Sequence, residues 1–100
     1  MILYNVTVGI DSDVEQEWIQ WMLEEHIPKV MGTKMFISYE MYKVLSHEAE
    51  GASYSIQYKA ESMDQLDMYL NGPGPTLIKE HIDKFKDKHV AFRTVLEKVG

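Results

Sequence analysis

The order of strand-like and helix-like segments is the feature that most constrains this chain. Four segments have the composition and alternation of β-strands: 2–10, 35–45, 52–60 and 90–99. Apolar residues at helical spacing fill the intervals after the first and the third segment. The order β-α-β-β-α-β predicts a ferredoxin-like α+β sandwich, in which a four-stranded antiparallel sheet carries two helices on one face. Because the chain has 100 residues, we expect a single domain over 1–100.

The first helix is predicted to begin at Ser12 and to run to about His26. Ser12 and Glu15 have the spacing of a capping box, in which a hydroxyl and a carboxylate bond to exposed backbone amides. Pro28 has no amide proton and disfavours helical geometry at Ile27, so a kink or an end of the helix is expected there.

The second helical region should consist of two pieces. Ser62 is in position to cap a short first piece, and the run Asn-Gly-Pro-Gly-Pro at 71–75 should break it. A second piece is expected from about 75 to 86, with proline at its favoured first position. Between the second and third strands, the polar residues 46–51 end in glycine, which suits a hairpin loop.

Composition argues against several classes of protein. The sequence has no cysteine, which excludes disulfides and thiol catalysis and is typical of a reducing compartment. Its formal net charge of −6 disfavours nucleic acid and anionic membranes as partners, because phosphate binding needs a basic surface. No apolar run approaches the ~18–20 residues of a membrane span, and the first residues have the pattern of a strand rather than of a secretory signal. We therefore expect a cytoplasmic protein.

The two faces of the predicted sheet should differ in polarity. One face should be apolar and meet the helices; it collects Tyr4, Val6, Val8, Tyr54, Ile56, Tyr58, Val90, Phe92 and Leu96. The other should be more polar; it collects Asn5, Thr7, Ser55, Gln57, Lys59, Arg93, Val95 and Glu97. The second strand is apolar on both sides, which is typical of a strand buried on both faces. We therefore predict a homodimer that covers the open side, with Arg93 and Glu97 in or near its interface.

Several stretches together resemble a known family. They are Tyr-Asn-Val-Thr-Val at 4–8, Glu-Trp-x-x-Trp-Met at 17–22, His-Ile-Pro-x-Val-Met at 26–31, Tyr-Ser-Ile-Gln-Tyr at 54–58, His-x-x-x-Phe at 81–85 and Val-Ala-Phe-Arg-Thr-x-Leu-Glu at 90–97. The family is a small bacterial family of uncharacterised proteins, a domain of unknown function. It is similar to the dimeric α+β barrel group of ferredoxin-like folds.

The resemblance implies a fold and an assembly rather than a reaction. In that group two sheets pack face to face across a two-fold axis. Its members include small monooxygenases, haem-degrading enzymes, dehalogenating or isomerising enzymes and ligand-binding modules, so no single activity follows from the fold. The resemblance supplies no catalytic residues for this chain.

Each predicted helix directs one imidazole toward the sheet. At about 100° per residue, His26 falls inside the apolar arc of the first helix and His81 inside that of the second. Tyr4, Tyr54 and Tyr58 are expected beneath them. Either the histidines belong to the core and bond to hydroxyls or carbonyls, or they line a pocket in which one acts as a base or ligand anchor. No metal site is expected, because two histidines on separate helices lack local ligand spacing.

The candidate ligand-binding residues are His26, His81, Tyr54, Tyr58, Trp18 and Arg93. Arg93 either belongs to a polar network with Glu97 at the dimer interface or is the centre of an anion site, since guanidinium holds a carboxylate in a two-pronged fork. Trp18, Trp21 and the seven methionines either fill the core or form an adaptable apolar pocket.

Three functions remain open from the residues alone. The first is binding of a small apolar or aromatic molecule between the helices and the sheet. The second is a cofactor-independent monooxygenase or isomerase that uses the same cleft, with His26 or His81 as the base. The third is a structural or interaction module without a ligand. No cofactor is expected, since the sequence lacks a phosphate-loop pattern, and no nucleophile-elbow pattern is present.

Overall fold

A four-stranded antiparallel sheet forms the frame of the protein. The computed structural model describes residues 1–46 and 51–100. The strands are β1 (Ile2–Ile10), β2 (Ser38–Lys43), β3 (Ala52–Ala60) and β4 (His89–Glu97), in the spatial order β2-β3-β1-β4. The helices are α1 (Glu15–Trp21), α2 (Ile27–Gly32), α3 (Met63–Asn71) and α4 (Gly74–Lys84). The predicted β-α-β-β-α-β order and the ferredoxin-like α+β fold are therefore confirmed.

The core lies between one face of the sheet and the helices. Alternate residues of β1 and β3 are buried on that face, among them Val8, Ile56 and Tyr58. Trp18 of α1 and Leu66 of α3 are fully buried in the same cluster. Paired strands place directly opposite residues on one face, so the period-two pattern predicted for the two central strands is confirmed.

The first helical region begins and continues differently from the prediction. Ser12–Val14 form a 3₁₀ turn, and α1 begins only after it. Neither the turn nor α1 has a side-chain cap at its start, so the predicted capping box of Ser12 and Glu15 is absent. The helix also does not end at Pro28. A π-helical turn, Met22–His26, joins α1 to α2, and the Ile27 amide bonds to the carbonyl of Met22, five residues back.

The π-helical turn explains how the helix accommodates proline. In an α-helix the ring of Pro28 would clash with the carbonyl of Glu24, four residues earlier, and would leave that carbonyl without its donor. A wider turn displaces this carbonyl, so the chain stays helical as far as Gly32. The sequence predicted a kink or an end of the helix at Ile27; the chain instead continues, with the irregularity in the turn before Pro28.

The second helical region is broken as predicted. The Ser62 hydroxyl accepts a hydrogen bond from the Gln65 amide at 3.3 Å and so caps α3. α3 ends at Asn71 and α4 begins at Gly74. A side chain at position 74 would place its Cβ only 2.7 Å from the carbonyl oxygen of Tyr69. The close approach of the two helices therefore requires glycine there.

The orientation of β4 corrects the predicted sheet faces. Tyr4 pairs with Val95 and Val6 pairs with Arg93, so Arg93, Val95 and Glu97 lie on the helix side. Val90, Phe92 and Leu96 lie on the open side, where sequence analysis had placed the polar set. The prediction was wrong because β4 carries apolar residues at both odd-numbered and even-numbered positions. Only its register against β1 decides which set faces the core.

The second strand is shorter than predicted, and this changes the argument for a partner. β2 covers only Ser38–Lys43, and its open side carries Ser38, Glu40 and Tyr42. Phe36 precedes the strand and is buried in the core. The strand is therefore not apolar on both faces, and the exposed apolar side chains of the open face belong to β4 instead. The predicted hairpin loop 46–51 lies mostly outside the described residues.

The side chains at the centre of the open sheet face are polar and are hydrogen-bonded to one another. Ser55 donates to Asn5 Oδ1 at 2.6 Å, Asn5 donates to Thr7 Oγ1 at 3.1 Å, and Gln57 donates to Ser55 Oγ at 3.2 Å. Beside this row, Phe92 is 62% exposed and Val90 is 72% exposed.

No described helix is long and apolar enough to cross a membrane.

Candidate functional site

A cleft opens between the helices and the sheet at the level of the two buried histidines. Six of its lining residues come from strands: Tyr4, Val6, Val8, Ile56, Tyr58 and Arg93. The other six come from the helical regions: Met22, His26, Val30, Tyr69, Ile78 and His81. The space between them, with the open solvent at its mouth included, amounts to about 390 Å³.

The volume that a bound molecule could occupy inside the cleft is much smaller than this total volume. The centre of a water molecule can occupy only about 30 Å³ of it, which is room for roughly two waters. A ligand larger than this must displace side chains, and the unbranched side chain of Met22 can adapt most readily. Without movement of side chains, the cleft therefore accepts only very small molecules.

His81 of α4 is held in one protonation state by its neighbour. The indole Nε1 of Trp18 donates a hydrogen bond to His81 Nε2 at 2.9 Å. Indole nitrogen is a donor only, so Nε2 must carry a lone pair. Burial, together with the nearby His89, His26 and Arg93, lowers the pKa of His81 to about 3. His81 is thus neutral at physiological pH, and its Nε2 lone pair is already engaged.

His26 ends the π-helical turn and has an unused ring nitrogen. Its Nδ1 is buried without a hydrogen-bond partner among the described residues. Burial lowers the pKa of His26 to about 4, although the carboxylate of Glu80 opposes the shift. Trp21 stacks on the imidazole at 4.9 Å between ring centres, and the His81 ring lies at 5.8 Å. Since π-helical turns are frequent at functional sites, His26 is the stronger of the two histidine candidates.

Tyr4 supplies a second buried polar atom without a partner. Its hydroxyl makes no hydrogen bond of normal geometry within the described part of the chain, although the guanidinium of Arg93 lies close enough to interact with it. The Tyr4 ring centre lies 6.1–6.2 Å from those of Phe36, Tyr58 and Tyr69. Phe36 in turn lies 5.1 Å from Tyr58 and 4.9 Å from Tyr69. Burial raises the pKa of Tyr4, and the guanidinium of Arg93 partly opposes this. The hydroxyl therefore remains protonated and can donate.

Arg93 places a positive charge at the mouth of the cleft. It lies on the helix-facing side of β4, directly opposite Val6. All five ion pairs found between described residues belong to lysines, so no described carboxylate pairs with Arg93. Its side chain is exposed, and it is the only arginine in the sequence. A guanidinium in this state is available to a bound anion.

The structure brings four of the six predicted site residues together. His26, His81, Tyr58 and Arg93 line the cleft. Trp18 lies behind it and positions His81.

Tyr54, the sixth predicted residue, does not line the cleft. Its hydroxyl donates to Glu15 Oε2 at 2.5 Å, and burial together with this carboxylate raises its pKa to about 12. The expectation that Tyr54 binds ligand with the histidines therefore has no support in the geometry. Glu15 is itself 3.7 Å from the ammonium group of Lys43.

Sequence analysis missed some of the lining residues. Tyr69 and Val30 were not singled out, and Met22 and Ile78 were assigned to apolar arcs only. Tyr69 has a recognisable signal, because it is the single tyrosine in the apolar arc of α3. Among residues 1–46 and 51–100, no three histidine or acidic side chains lie close enough to hold a metal ion.

Fold and topology together define a protein of the ferredoxin-like α+β fold. The family described as "Domain of unknown function (DUF4286)" matches residues 1–99, and the chain belongs to this family. The family resemblance drawn from the sequence motifs is thereby confirmed. No functionally curated protein matches the sequence.

Solved structures share the fold over nearly the whole chain. A provisionally assigned antibiotic biosynthesis monooxygenase from Deinococcus radiodurans matches with a TM-score of 0.70 at 15% identity, covering 100% of this chain and 94% of that one. HapK from Hahella chejuensis matches with a TM-score of 0.72 at 10% identity and the same coverage. SnoaB, a cofactor-independent oxygenase from Streptomyces nogalater, matches with a TM-score of 0.67 at 9% identity, covering 97% and 92%. At these identities the likeness establishes the fold and no activity.

Proposed function

We propose that this protein binds a small, mostly apolar molecule in the cleft between the helices and the sheet. The observation that carries the proposal is the pair of buried polar atoms without partners, Tyr4 Oη and His26 Nδ1, in the lining of an otherwise apolar cleft. Buried polar groups are nearly always hydrogen-bonded, and each one left unpaired costs about 1–3 kcal/mol. A ligand that reaches both atoms would recover that free energy.

A second candidate function is cofactor-independent oxygenation or isomerisation in the same cleft. It is supported by the neutral His26, whose Nδ1 could take part in proton transfer, and by the fold shared with a cofactor-independent oxygenase. A pKa of about 4 makes His26 a weak base at neutral pH, because an efficient general base has a pKa near the working pH. Binding is therefore the better-supported function, and a ligand-free structural module is the third.

Native mass spectrometry of protein from its own host tests the proposal. We expect a co-purifying small molecule with the wild type. The variant Ile78→Trp should fill the cleft and lose that molecule. Ile82→Trp, one turn further along α4 and 43% exposed, does not touch the cleft and should keep it. Wild-type protein without a bound molecule, or equal retention by both variants, would contradict binding in this cleft.

We also propose that two copies pair through the open sheet face. Val90, Phe92 and Leu96 form an exposed apolar strip on β4, next to the bonded polar row. Monomeric proteins seldom leave a large apolar patch open to water, and the family resemblance implies assembly by the open sheet face. A specific interface should bury more than about 1,200 Å² in total. The interface residues thus differ from those predicted, because Arg93 and Glu97 lie on the opposite face.

Light scattering at micromolar concentration tests the assembly. The wild type should have twice the mass of one chain. Phe92→Glu should give a single chain, because it places a charge in the centre of the apolar strip. Met68→Glu, at a 56% exposed position on α3, is the matched control and should remain a dimer. A monomeric wild type, or a dimeric Phe92→Glu variant, would refute pairing through this face.

A further inference from the structure

The charge at the cleft points to one class of ligand. The chain as a whole carries a net charge of −6, yet the charged residue that lines the cleft is a cation, Arg93. The carboxylate that acts on His26 belongs to Glu80, which is already paired with Lys29 at 3.4 Å. No acidic side chain among the described lining residues neutralises the positive charge of the Arg93 guanidinium.

Among the lining residues with polar atoms, only Arg93 is charged. Tyr4 has a protonated hydroxyl that can donate, and it lies beside Arg93. Tyr58 and Tyr69 also line the cleft, and burial raises the pKa of each hydroxyl, so both stay protonated. His26 is neutral, as is His81, because both are buried between aromatic rings. The remaining lining is apolar, including Val30 and Ile78. The site therefore offers one positive charge and tyrosine hydroxyl donors beside apolar side chains.

We infer that the cleft selects small monocarboxylates, with Arg93 and Tyr4 holding the carboxylate and the apolar lining holding the carbon skeleton. The inference rests on the proposed binding function and specifies its ligand class. A guanidinium binds a carboxylate through two parallel hydrogen bonds, and the Tyr4 hydroxyl can donate a third. A single cation balances a single negative charge, so a phosphate dianion in this apolar setting would remain undercompensated.

Two pairs of probes separate charge from shape. Crotonate and crotonamide are flat four-carbon molecules that differ in charge at one end, and benzoate and benzamide repeat the comparison with a ring. Binding is followed by amide and tyrosine NMR shifts at pH 7. We expect wild-type protein to bind each carboxylate about tenfold more tightly than its amide, since a charge-assisted fork at a partly exposed site is stronger than neutral hydrogen bonds.

Variants assign that preference to the two residues. Arg93→Gln should bind acid and amide within a factor of two of each other, because the acid loses more affinity than the amide. Tyr4→Phe should keep part of the preference for the acid. Lys86→Gln removes the same charge from an exposed position outside the cleft and should behave like the wild type. Amide spectra of each variant show whether the fold is intact.

The outcomes distinguish this inference from the function on which it rests. If acid and amide bind wild-type protein equally, the preference for carboxylates is refuted while small-molecule binding stands. An undiminished preference in Arg93→Gln likewise refutes the role given to Arg93. If none of the four probes binds in the cleft and the native protein carries no molecule, the binding function fails together with the inference.

Discussion

Replacing His81 with glutamine should make the protein less sensitive to acid. His81 is only 5% exposed, and its Nε2 accepts the hydrogen bond from Trp18. The side-chain oxygen of glutamine can accept the same bond. The substitution therefore removes a buried titrating group with little change in packing or hydrogen bonding.

The expected magnitude follows from the pKa of His81 in the two states. It is about 3 in the folded protein and near its ordinary value of 6.5 in the unfolded chain. Below pH 6.5 the unfolded chain binds a proton that the folded protein does not. The free energy of unfolding therefore falls as the pH falls from 6.5 toward 3, by about 1.4 kcal/mol per pH unit.

Between pH 7.5 and 5 this effect amounts to roughly 2 kcal/mol for His81. His26, with a pKa of about 4, should add a similar amount. Together they would remove about 4 kcal/mol, which is a large part of the 5–15 kcal/mol typical of a small domain. The wild type should therefore be markedly less stable at pH 5 than at pH 7.5.

Urea unfolding at the two pH values measures the effect. Far-UV circular dichroism is the suitable signal, because Trp18 and Trp21 contact the histidine rings and their fluorescence would respond to protonation directly. His81→Gln should lose about 2 kcal/mol less than the wild type between pH 7.5 and 5. His26→Gln should behave similarly, and the double variant should lose both contributions.

An unchanged pH dependence in His81→Gln would refute the reasoning. It would mean that the imidazole titrates near its ordinary value in the folded protein. A variant that loses more stability than the wild type between pH 7.5 and 5 would refute it too, because a partner would then stabilise the charged imidazole. In the second case the folded pKa would be raised, and the added stability would disappear as the pH rises. An NMR titration of the His81 ring protons distinguishes the two explanations.

Three further substitutions test the fold by urea unfolding at pH 7.5. Ser62→Ala should cost about 1 kcal/mol through loss of the cap on the Gln65 amide; no loss would mean that the cap is not formed in solution. Leu66→Ala should cost about 2–5 kcal/mol, because the side chain is fully buried and leaves a cavity; a surface-like value under about 0.5 kcal/mol would contradict its burial. Gly74→Ala should cost about 1–3 kcal/mol, because its Cβ would meet the carbonyl of Tyr69; a neutral effect would contradict the close approach of α3 and α4.

Local sequence signals were sufficient for the order of the elements and for part of the site. The alternation in β1 and β3, the cap at Ser62 and the break at 71–75 all depend on neighbours along the chain, so the sequence indicates them directly. The same is true of His26 and His81, because helical periodicity places them on apolar arcs. The continuation of the helix beyond Pro28 was not predicted, because a π-helical turn upstream has no reliable local signal.

The sequence by itself determined the β-α-β-β-α-β fold and the presence of two histidines facing its sheet. Tertiary structure alone decided which face of β4 meets the helices, and with it the place of Arg93. β4 has apolar residues at both odd-numbered and even-numbered positions, so either side of the strand could face the core. Its register with β1, set by backbone hydrogen bonds between segments almost ninety residues apart in sequence, places Arg93 opposite Val6 at the mouth of the cleft. The bond that fixes His81 likewise joins side chains 63 residues apart and exists only once the helices have packed.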